Sequence, residues 1–123
     1  MEDSALSERV IGYAIEVHRH IGPGLLESAY EDCLCHELSA AGIAFQRQLL
    51  LPVVYKGIRL DSAYRLDVLV DARLIVEIKS VERIVATHEA KLLTYLRMSG
   101  ISIGRILNFN HAVLKDGITR LVL

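Results

Sequence analysis

The chain has 123 residues, 52% of them hydrophobic, only two prolines and a formal net charge of −1. One domain of this size buries about two-thirds of its unfolded surface, which excludes a disordered tail or linker. The longest apolar run, residues 49–55, is broken by Pro52 and is far too short to span a bilayer.

The amino terminus, Met-Glu-Asp-Ser, is acidic and has no signal-peptide pattern, so a cytoplasmic protein is expected. The small net charge conceals an asymmetry. Residues 1–40 carry eight acids against Arg9 and Arg19, whereas residues 41–123 carry twelve Lys/Arg against seven acids. A polyanion would therefore meet the carboxy-terminal two-thirds, although the overall balance is not that of a dedicated DNA-binding module.

Residues 4–20 have the spacing of an amphipathic helix, with Leu6, Val10, Ala14, Val17 and Ile21 at three- and four-residue steps. Gly22-Pro23-Gly24 stops it. A second helix is expected over 25–41, closing at Gly42. It carries Cys33 and Cys35, which lie roughly 200° apart on a helix and so cannot readily share a metal or a disulfide. Residues 45–55 and 58–70 are strand-like around a Lys56-Gly57 turn, and 74–80 forms a hairpin with the second of them. Thr87 is placed as the cap of a third helix reaching Met98 and ending at Ser99-Gly100. Strands over 104–109 and 118–123, joined through an Asp116-Gly117 hairpin turn, bring the strand count to five.

The hairpin over 67–79 carries the chemistry. Alternation puts Val68, Val70, Val76 and Ile78 on one face and leaves Asp67, Glu77 and Lys79 for the other. A three-residue loop, Asp71-Ala72-Arg73, sets Asp67 opposite Glu77, whereas a two-residue loop would separate them. Two carboxylates at such a distance repel by roughly 4 kcal/mol at an effective dielectric of about 20. A fold tolerates that with a cation between them or a shared proton. Mg²⁺, usually held by one or two carboxylates plus a phosphate, is the economical choice. A solvated hairpin face with ordinary surface charge is the plainer reading of the same residues.

Two helices contribute further polar groups. On the second, Glu27 sits within the apolar arc of Leu26, Tyr30, Leu34 and Leu38, where a carboxylate must be paired, metal-bound or at the rim. Its place in the first turn also suits the positive helix end. On the third, His88, Lys91 and Tyr95 share a stripe, suited to phosphate oxygens or equally to a helix flank.

With Gly24-Leu-Leu-Glu27-Ser-Ala-Tyr30 in place, the chain resembles the GxxExxY protein family, part of the PD-(D/E)-x-K nuclease superfamily. The likeness continues through Val17-His18, Gln48, Pro52, Tyr55-Lys56-Gly57, Tyr64-Arg65-Leu66-Asp67, Val76-Glu77-Ile78-Lys79, Leu92-Leu93-Thr94-Tyr95-Leu96, Gly104 and Asn108-Phe109-Asn110. The resemblance implies an α/β (α+β) fold, a mixed sheet flanked by helices on both faces with a restriction-endonuclease-like core. It implies Asp67 and Glu77 as metal ligands, Glu27 as a helix-borne third acid, and Lys79 as the residue that positions or helps deprotonate water. Two departures stand out: Leu66 replaces the pattern's Pro, and Lys91 stands where relatives typically show Gln. That lysine either grips a phosphate or discourages a metal.

The implied activity is Mg²⁺- or Mn²⁺-dependent phosphodiester hydrolysis on DNA or RNA, with Arg65, Lys91, His88 and Tyr95 meeting substrate. The alternative is a catalytically inactive nuclease-fold module that binds nucleic acid or a protein partner. A homodimer is expected from the small substrate surface one copy offers.

Overall fold

A computed structural model describes residues 2–123; Met1 and the side chains of Ser62 and Ala63 lie outside the description. The chain runs through α1 (Asp3–Ile21), α2 (Glu27–Ala40), β1 (Phe45–Tyr55), β2 (Ile58–Val70), β3 (Leu74–Lys79), α3 (Ala86–Ser99), β4 (Ile103–Asn108) and β5 (Ile118–Val122). The five strands lie in sequence order in one mixed sheet, antiparallel except for the parallel β3–β4 pair. Helix α3 makes the crossover that a parallel pair requires.

Periodicity explains the layers. The buried stripe of α1 (Leu6, Val10, Ala14, Val17) and that of α2 (Tyr30, Leu34, Leu38) pack on Val68, Val70, Val76 and Ile78. On the opposite face, Leu92, Tyr95 and Leu96 of α3 pack on Leu66, Leu69, Ile75 and Ile106. Helices therefore cover both faces, and among the described residues none is long and apolar enough to cross a membrane.

Side-chain alternation breaks within the β1–β2 pair. Phe45 and Val68 join the α1/α2 core, yet Leu49 and Leu66, of the same parity on their strands, join the α3 core. The switch falls at Gln48 and Asp67, which lie opposite one another between the Arg47–Val68 and Leu49–Leu66 pairs. Gln48 carries φ 50° there, a local departure from strand geometry that re-aims the residues beyond it.

Two local expectations are corrected. Thr87 does not cap α3: Val85 holds that place, with its N–H donating to His88 Nδ1 at 3.1 Å and its carbonyl accepting from His88 N at 3.0 Å. Asp116-Gly117 is not a two-residue hairpin turn but the end of a 3₁₀ turn, Leu114–Gly117, that leads into β5. Gly117 serves close approach instead, because a Cβ there would lie 2.2 Å from the Asn108 carbonyl oxygen. At Gly104 a Cβ would meet only the Leu92 side chain, at 2.8 Å. Gly104→Ala should accordingly cost about 1–3 kcal/mol and Gly117→Ala more, compared by urea denaturation midpoints.

Candidate active site

The β2–β3 loop has the three residues its spacing predicts, and two of them, Asp71 (φ 50°) and Ala72 (φ 54°), take left-handed backbone without glycine. Pairing runs from Val70–Leu74 to Val68–Val76, which leaves Asp67 and Glu77 facing each other just beyond the ladder. There the side chains stand in for backbone acceptors. Asp67 N–H donates to Glu77 Oε1 at 3.2 Å, and Ile78 N–H donates to Asp67 Oδ2 at 2.8 Å. Each acid is thus tied to the strand that bears the other, and the pair occupies the gap where β2 and β3 part.

Burial makes this costly. Glu77 is only 7% exposed, and burial, followed by the charge of Asp67, pushes its pKa up to about 9; the Asp67 N–H and the Lys79 charge oppose that rise. At neutral pH the cation-free pair therefore keeps a proton, as expected of like charges drawn together out of water. Lys79, two residues further along β3, is half-buried and forms no ion pair among the described residues.

The Gly24–Tyr30 motif places Glu27 near the same end of β3. Tyr30 stacks on Phe109 at 4.3 Å, donates its hydroxyl to Gly22 O at 2.6 Å and accepts from Leu25 N at 3.1 Å. That pins the loop feeding α2, whose first residue is Glu27. Glu27 Oε2 then accepts from Ser80 N at 3.0 Å, while Ser80 Oγ donates to Leu25 O at 2.9 Å. Asn108 fixes the next residue, with Oδ1 accepting from Val81 N and Nδ2 donating to Val81 O. Tyr30→Phe leaves Leu25 N and Gly22 O without their partner and should cost about 1–3 kcal/mol in a denaturant titration.

The remaining expected site residues divide. Tyr95 is 1% exposed, with its hydroxyl at the backbone of Arg65 and its ring edge-on to Tyr64. Burial, then the charges of Glu77 and Asp67, pushes its pKa up to about 12. It forms a wall beneath the acids instead of an exposed substrate contact. His88 is occupied by the helix cap. Arg65 and Lys91 are exposed, the Lys91 ammonium 5.9 Å from the Tyr95 ring centre, and neither makes an ion pair among the described residues. Asp67 and Glu77 are brought together. No trio of His, Cys, Asp or Glu side chains among the described residues closes into a ready cation cage.

Sequence reading missed Glu31 and gave no role to Gln48, which entered only through the resemblance. Glu31 is 6% exposed and accepts from Gln48 Nε2 at 2.7 Å and Arg47 Nε at 3.0 Å, while Arg47 also pairs with Asp32. The signal for Glu31 was present: 27, 31, 34 and 38 are successive steps of one helical stripe.

A mixed sheet with helices on both faces, presenting an aspartate and a Glu-x-Lys where two strands part, defines a nuclease-type core. The chain belongs to the PD-(D/E)XK nuclease superfamily, whose family model matches residues 4–121. No curated protein and no solved structure matches it significantly.

Proposed function

We propose that the protein is a divalent-metal-dependent phosphodiesterase acting on DNA or RNA. The observation that carries this reading is the Asp67–Glu77 pair, two carboxylates drawn into one strand gap with Lys79 two residues away. Such a donor set fits Mg²⁺ or Mn²⁺, because these ions need only one or two protein carboxylates beside water and phosphate oxygens. Asp67 and Glu77 would hold the ion, and Glu27, anchored on Ser80 N, would join through water or directly. The bound ion supplies a polarised phosphate oxygen and a more acidic water.

The chain's own groups do the rest. Lys79 orients the attacking water and offsets the charge that gathers on phosphate. Arg65 and Lys91 present exposed cationic heads to neighbouring phosphates, and Tyr95 keeps water from the back of the pair.

The test is cleavage of single- and double-stranded DNA and RNA with Mg²⁺ or Mn²⁺. Cleavage should vanish with chelator and in Asp67→Ala; survival in that variant would mark a contaminating nuclease. A second reading, a non-cutting module that binds nucleic acid or a protein partner, is favoured by one observation: Lys91 places an ammonium over Tyr95, on the α3 side of the acid pair. A protein that Mg²⁺ stabilises against heat without any cleavage would support it.

A further inference from the structure

Gln48 is the only non-glycine residue, among those described, with positive φ inside a strand; Lys56, Asp71 and Ala72 take theirs in turns. Left-handed backbone is unfavourable for a residue bearing a Cβ, and it persists where the surroundings over-determine it. Here the side-chain amide does so. One hydrogen bond runs from Nε2 to Glu31 Oε1 at 2.7 Å and a longer one to Asp67 Oδ1 at 3.5 Å. Glu31 is itself fixed, since Arg47 donates Nε to its Oε2 at 3.0 Å and the two groups form an ion pair at 2.8 Å.

We propose that Gln48 is a positioning residue for the Asp67 carboxylate, set in place by Glu31 of α2, which Arg47 of β1 in turn fixes. The inference rests on the reading of Asp67 as a divalent-ion ligand. An amide NH₂ has two N–H groups; Glu31 takes one and thereby aims the other at Asp67. With Ile78 N–H on Oδ2 at 2.8 Å and Gln48 on Oδ1 at 3.5 Å, both oxygens of Asp67 are oriented by donors on different strands. Each oxygen retains acceptor capacity for a cation. Glu31 could not be replaced by a neutral acceptor without loosening the relay, because its charge also anchors Arg47. The left-handed turn at Gln48 is then the backbone cost of delivering an amide opposite Asp67.

Mn²⁺ binding to the full chain, followed by the electron paramagnetic resonance of the free ion, tests this. It is measured well below each protein's melting temperature for the unsubstituted protein, Gln48→Gly, Glu31→Gln and Asp67→Ala. Gln48→Gly accommodates the positive φ, which offsets part of the cost of leaving Glu31 Oε1 without its donor, so it should still fold yet bind Mn²⁺ about 10–100-fold more weakly, the usual loss when an outer-shell partner is removed. Glu31→Gln should weaken binding in the same direction, and Asp67→Ala should abolish it. Parent-like affinity in Gln48→Gly, beside loss in Asp67→Ala, overturns the positioning role and leaves the ligand reading standing. No Mn²⁺ binding by the parent protein overturns both.

Discussion

In metal-free buffer at pH 8, Glu77→Gln is expected to melt higher than the parent protein, on the order of 10 °C higher for a stability difference of a few kcal/mol in a domain of this size. The parent carries a buried carboxyl whose pKa is raised from 4.5 to about 9. The unfolded chain releases that proton near pH 4.5, whereas the folded chain keeps it until about pH 9. Between those values the unfolded state binds fewer protons, so stability falls with rising pH by up to about 1.4 kcal/mol per unit. The contribution is complete below pH 4.5 and is lost as pH climbs through about 9. A glutamine is neutral in both states, keeps an oxygen for Asp67 N–H, and removes this slope. The gap between the two proteins should therefore be small at pH 5 and widen toward pH 8. Melting curves across that range decide the matter; a gap that stays constant would mean Glu77 is not held protonated. Saturating Mg²⁺ or Mn²⁺ should close the gap by stabilising the parent alone, about 2.7 kcal/mol at a hundredfold excess over Kd.

The same pair shows what could be read before any coordinates. Apolar alternation on either side of 71–73 suggested a three-residue loop, which by parity would put Asp67 opposite Glu77, while a two-residue loop would have separated them. The structure has the three-residue loop. The five strands and three helices followed from periods of 2 and 3.6 that hold over long segments, whereas helices on both faces of the sheet were what the family resemblance implied. Period-2 reasoning fails at Gln48 and Asp67, where β1 and β2 exchange faces, because a left-handed glutamine within a strand has no signature in local propensity. It is stabilised by Glu31, 17 residues away. The His88–Lys91–Tyr95 stripe was found correctly as a stripe, yet its members part in three dimensions. His88 closes the helix end, Tyr95 goes under the acids and Lys91 stays in solvent. Spacing places residues on a face; it does not say how far the neighbouring strand covers that face.

Lys79 and Lys91 should separate along that same division. Lys79→Ala is expected to reduce cleavage by about 10²–10⁴-fold, the range for losing a positioned group that handles the proton of the attacking water. Mn²⁺ binding should survive, since Lys79 donates nothing to the ion. Its charge lowers the pKa of Glu77, so the variant should require a higher pH for the same metal occupancy. Lys79→Arg should recover little, because a planar guanidinium cannot reproduce a compact ammonium at one water. Lys91 is solvent-exposed, and Lys91→Gln should instead raise KM with kcat nearly unchanged. For a phosphate contact, it should also flatten the dependence of binding on salt by about one unit of slope. Kinetics at two salt concentrations with one short oligonucleotide distinguish the two lysines. Equal losses of kcat in both variants would place Lys91 at the reacting phosphate. Full activity in Lys79→Ala would remove the β3 lysine from the chemistry and, with it, the nuclease reading of this strand pair.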